Sequence, residues 1–93
     1  MNKVLSIIKK STYGSCILEE VFEGSRKLSN IKFYDYFLRY YDTFYASCEK
    51  LIGYHRCLQD LNLITWEDSQ DFLDLMFRYT DLVHNITSSH LLN

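Results

Sequence analysis

Not one of the 93 residues is proline, and only three are glycine. Without its strongest helix breaker, a chain is punctuated only by its glycines and by clusters of Ser, Asn and Asp. Few breaks predict few, long elements. From Ile31 to Leu61 no break occurs. The stretch 31–61 is therefore expected to be one helix of about thirty residues, roughly 45 Å long at its rise per residue.

Along that helix Tyr34, Phe37, Tyr41, Phe44, Cys48, Leu51, His55 and Leu58 alternate steps of three and four. Such spacing holds one seam against a nearly parallel or antiparallel neighbour. Ile31, Leu38, Tyr45 and Ile52 widen the apolar band on one side, and Phe33, Tyr36 and Tyr40 on the other. A band this broad calls for more than one neighbouring helix.

Residues 1–23 carry a helical stripe of Val4, Ile7, Ile8, Ile17, Leu18, Val21 and Phe22, weakened around Gly14 by Thr12, Tyr13 and Ser15. They are expected to form one bent helix or two short ones. Residues 24–30 combine a C-capping Gly24 with Ser29 and Asn30, which suit an N-cap, and read as a connection. Thr65 and Asp68 approximate a capping box, Asn62 suits the preceding helix end, and Leu63 or Ile64 is placed for a hydrophobic staple. The last helix is expected over 66–86, with fraying beyond Ile86. The predicted fold is a single all-α domain over 1–93. It is a small bundle of three main helices, with one long central helix and a C-terminal antiparallel helical hairpin.

Hydrophobic residues at 47% and charged residues at 24% fit a globular chain. A net charge of −2 gives no general attraction to phosphate backbones, so nucleic-acid binding is disfavoured. A DNA-reading role is further disfavoured because the helix after the turn begins with Glu67, Asp68 and Asp71. No run approaches the ~20 apolar residues that span a bilayer. The short run Val4–Ile8 ends at Lys9 and Lys10. A cytoplasmic protein without membrane contact is expected. The three cysteines lack metal-ligand spacing and are expected to be buried and reduced.

Chemistry-bearing patterns are few. The chain has no Gly-rich phosphate loop, no nucleophile elbow and no His-Glu-x-x-His. No enzyme, cofactor or metal is expected. His55 stands in the apolar seam, where a packed imidazole hydrogen-bonded to a Tyr hydroxyl is the expected arrangement. His84 and His90, six apart, do not share a face that would recruit them to a metal with His55.

Six of the eight tyrosines lie between Tyr34 and Tyr54, more than one small core absorbs. Tyr34, Tyr41, Tyr45, Gly53, Tyr54 and His55 are the candidate interface, with Gly53 a place where another backbone could approach. Glu67, Asp68, Asp71, Asp74 and Asp81 form a candidate acidic docking face.

The expected function is that of a non-enzymatic, self-associating protein, a dimer in form, that occupies or inhibits a protein partner. In size and class alone the chain is similar to small accessory proteins of bacteria and phages, including phage inhibitors of host defences. The alternative is an oligomer that sequesters a nucleotide or other small ligand between subunits. Arg26, Lys27, Arg39 or Arg56 would then hold its phosphates.

Overall fold

Side-chain caps divide the chain. The Asn2 side chain accepts the Leu5 N–H at 3.2 Å and opens α1 (Lys3–Lys9). The Ser11 hydroxyl accepts the Gly14 N–H at 2.9 Å and opens α2 (Thr12–Ser29). The long helix α3 (Tyr34–Asp60) and the equally long α4 (Trp66–Leu92) follow. The computed structural model describes residues 2–32 and 34–92, the side chains of 34, 35 and 90–92 excepted. Among the described residues there is no strand, and the helices form an all-α bundle.

The expected 1–23 element is thus two helices, making four in all, and the break has a steric cause. A Cβ at Gly14 would collide with the Ile8 carbonyl and come within 2.8 Å of Ile8 Cγ2. Only glycine lets α1 fold back so closely on α2.

Residues 24–30 are not the connection that their composition suggested, because α2 runs through them to Ser29. The Ser25 hydroxyl donates to the Phe22 carbonyl and that of Ser29 to the Ser25 carbonyl, each at 2.8 Å. Such back-bonding satisfies these hydroxyls inside a helix. Gly24 is a notch for a ring from α3, since a Cβ there would lie 2.8 Å from Phe44 Cδ2. The last helix likewise passes the expected end at 86 and continues to Leu92.

The turn between α3 and α4 follows its sequence signals. Asn62 adopts φ 57°, the Leu63 N–H bonds to the Leu58 carbonyl and the Asn62 N–H to the Gln59 carbonyl, both at 3.0 Å. This is a Schellman termination. Thr65 N–H then donates to the Asp68 carboxylate at 2.8 Å, and Asp68 N–H to the Thr65 hydroxyl at 3.2 Å. The reciprocal pair contributes about 1 kcal/mol to starting α4 where it does.

Both partners of α3 run antiparallel to it. Ser11 meets Tyr54 and Glu20 meets Ser47 on the α2 side, while His55 meets Ser69 and Phe44 meets Tyr79 on the α4 side. The core joins Val4 and Ile8 of α1, Ile17, Val21 and Leu28 of α2, Phe37, Phe44, Leu51 and Leu58 of α3, and Phe72 of α4. The molecule measures 46 × 25 × 21 Å.

The glycines give a paired prediction. Gly53 has nothing within 4 Å of an added Cβ, so Gly53→Ala should stabilise by about 0.5–1 kcal/mol through helix propensity. Gly14→Ala should destabilise by about 1–3 kcal/mol through overpacking. Urea midpoints moving in opposite directions would meet the expectation; matching shifts would contradict the packing described.

Candidate interaction surface

His55 is buried, as the seam implies, but its partner is not a tyrosine. Nε2 lies 2.9 Å from the hydroxyl of Ser69, which is fully buried one turn into α4. Ser69 also accepts from the Gln59 amide at 3.3 Å and reaches the Thr65 carbonyl at 3.3 Å. The imidazole stacks on Phe72 with centroids 4.3 Å apart. Burial, followed by the nearby Arg56 charge, holds the His55 pKa below its ordinary value and favours neutral imidazole. A neutral ring meets the Ser69 hydroxyl whichever of the two donates. Because Ser69 is enclosed, this Ser–His contact presents no nucleophile to a substrate. His55 therefore belongs to the core rather than to an exposed interface.

The other interface candidates separate. Tyr34's side chain and Phe33 lie outside the described residues, as does the side chain of His90. Tyr54 turns toward α2, where its hydroxyl meets Ser11 at 3.0 Å and its ring stacks on Tyr13. Tyr41 is half-buried against Phe37 at 5.6 Å, whereas Tyr45 is 52% exposed. Gly53 is exposed with open space beside it, and none of the described residues makes the close approach expected there.

The acidic residues also divide. Asp68 is engaged locally: the Thr65 backbone N–H, aided by the Thr65 hydroxyl and Lys3, holds its carboxyl below the usual range. Its ion pair with Lys3 spans 3.5 Å and ties α4 to α1. Glu67, Asp71, Asp74 and Asp81 remain exposed.

Two large apolar side chains accompany them. Trp66 is 69% exposed and Phe77 64% exposed. These two are eleven residues, or three helical turns, apart and share the outer face of α4 with Gln70, Asp81 and His84. Asp74 and Asp81 flank Phe77 at the i−3 and i+4 positions. Trp66 and Phe77 were missed as site candidates because they fall off the core stripe; their common spacing with the acids was the available signal.

The cationic candidates do not assemble into one site. Arg26 makes a two-pronged ion pair with Glu23 at 2.6 and 2.7 Å, beside Lys27 at the end of α2. Arg39 lies over the Tyr36 ring at 5.5 Å. Arg56 stands seventeen residues farther along α3, about 25 Å by helical rise.

Among the described residues no three His, Cys, Asp or Glu side chains gather as a metal site, and no helix is long and apolar enough to cross a membrane. Comparison with known proteins finds no matching family model, no matching curated protein and no matching solved structure.

All three cysteines are free, but Cys16 and Cys57 are exposed rather than buried. Cys48 is half-buried, and desolvation pushes its thiol up to about 11. Because the thiolate is the reactive form, a colorimetric disulfide reagent at neutral pH should label two thiols rapidly and the third only on unfolding. Mass mapping should place the protected thiol at Cys48; fast labelling there would contradict its placement.

Proposed function

We propose that this chain is a non-enzymatic binding protein that occupies a protein partner through the outer face of α4. The observation that carries the reading is the exposure of Trp66 and Phe77 among exposed carboxylates on a helix whose core stripe is already packed. Solvent exposure of two large rings on one face has a cost that a partner would remove. Aromatic side chains at the centre of an interface contribute most when charges around them match the other surface.

The matching surface is basic with apolar recesses. Asp74 and Asp81 beside Phe77, with Glu67 beside Trp66, outnumber the single Arg78 there and give the face its sign. Carboxylates spaced along a rigid helix can stand where phosphates would otherwise bind, so a partner that normally holds nucleic acid fits this reading. Occupation of that surface would inhibit the partner without any chemistry in the occupant.

The test compares affinity capture from the cells that make the protein, using the wild type, Trp66→Ala/Phe77→Ala and Asp74→Asn/Asp81→Asn. One captured protein should be lost with both variants, and its affinity for the aromatic pair variant should fall about thirtyfold, as for a hot spot of roughly 2 kcal/mol. Circular dichroism should be unchanged, since all four side chains are exposed. Equal capture by the three proteins, or capture of nothing by the wild type, would refute the assignment.

A further inference from the structure

The inner side of the α3–α4 hairpin is not fully closed. A half-open groove of about 270 Å³ lies between the helices, separate from the outer face of α4. Four aromatic rings line it: Tyr41, Phe44 and Tyr45 from α3, and Tyr79 from α4. Tyr41 and Tyr45 are tilted neighbours with centroids 6.0 Å apart, while Phe44 and Tyr79 meet edge to face at 5.6 Å. Among the described residues, Glu49 is the one charged residue in the lining. The Glu49 carboxylate stands one helical turn from Tyr45 at the rim, and its proximity pushes the Tyr45 phenol pKa upward.

Each class of occupant meets these walls differently. Anions face the negative ring faces and a carboxylate. Hard metal ions require several oxygen ligands, whereas these walls are mostly rings and apolar side chains. A neutral apolar molecule fits the rings but gains nothing from Glu49. A cation with apolar substituents gains from both, through attraction to the ring quadrupoles and to the carboxylate. The volume falls just below the usual range of ligand pockets, which suits a small head group. The Cys48 thiol in the wall stays protonated and adds soft apolar surface rather than a second charge.

We propose that the groove framed by Tyr41, Phe44, Tyr45 and Tyr79, with Glu49 at its rim, binds a small free organic cation of the quaternary ammonium class. The positive head lies against the tyrosine rings, with the buried Phe44 behind them, and Glu49 supplies the countercharge. This site is independent of the docking face that Trp66 and Phe77 define.

The test uses choline and its uncharged carbon isostere, 3,3-dimethylbutan-1-ol, each titrated into the full chain and followed by NMR of the tyrosine rings. Choline should shift the Tyr41, Tyr45 and Tyr79 signals saturably, and the isostere should bind at least about tenfold more weakly. Glu49→Gln should weaken choline about tenfold without moving the thermal midpoint, because Glu49 is exposed. Trp66→Ala/Phe77→Ala should bind choline as the wild type does, so the two proposals fail separately. Equal affinity for choline and the isostere would reduce the groove to an apolar recess and overturn the assignment, as would the absence of saturable shifts. Tighter binding of a trimethyl-lysine peptide than of choline would also overturn it, by transferring the site to a protein ligand.

Discussion

The contact on which the hairpin depends is the one between His55 of α3 and Ser69 of α4, 2.9 Å apart in a seam otherwise filled by Leu51, Leu58 and Phe72. Apolar side chains alone pack tolerably in several registers, because burial has little directional preference. A polar pair behaves differently. Sliding α4 by a turn would part the His55 imidazole and the Gln59 amide from the Ser69 hydroxyl, and the buried imidazole would lose its partner at about 1–3 kcal/mol. The capping box at Thr65 and Asp68 starts α4 one turn earlier, and the Schellman turn ends α3 just beyond Leu58. Local turn chemistry and the buried polar pair therefore select the same register.

That register decides what remains outside. Phe72 and Ser69 point into the hairpin, which leaves Trp66 and Phe77 exposed on a flank of α4 about a quarter turn away. The same register sets Tyr79 against Phe44 and leaves the groove open beside Tyr45. On the other flank, Gly24 admits Phe44 and Tyr54 reaches Ser11, so α2 closes the remaining side of α3. The Ser–His contact is thus part of the core, and two aromatic surfaces remain outside it.

The parts legible from sequence were those set by period and by local caps. The three-four alternation placed Phe37, Phe44, Leu51, His55 and Leu58 inside, and Thr65–Asp68 marked the hairpin turn. What escaped depends on a partner distant in sequence. Gly24 looks like a helix stop until Phe44 is known to fill its notch. Ser69 is an unremarkable serine near a helix start until α3 brings His55 to it, so a tyrosine seemed the natural partner. Gly53 suggested close packing, but among the described residues nothing fills the space it leaves. The acidic face was visible as charge, yet the two exposed rings beside it fall off the core stripe and so did not stand out.

The most direct test of this account is the protonation midpoint of His55, followed by long-range proton–nitrogen NMR in the native chain and in the same chain in concentrated urea. In the unfolded chain the imidazole titrates near its ordinary 6.5. In the folded chain burial, and then Arg56, lowers the value. As pH falls through this window the unfolded state takes up the proton first, so stability should decline below about 6.5 toward the folded midpoint. The account predicts a native midpoint below the one in urea, with slow exchange of the ring with solvent. A native midpoint equal to or above the denatured one would contradict it, because an imidazole that charges so readily could not be the neutral, buried partner of Ser69.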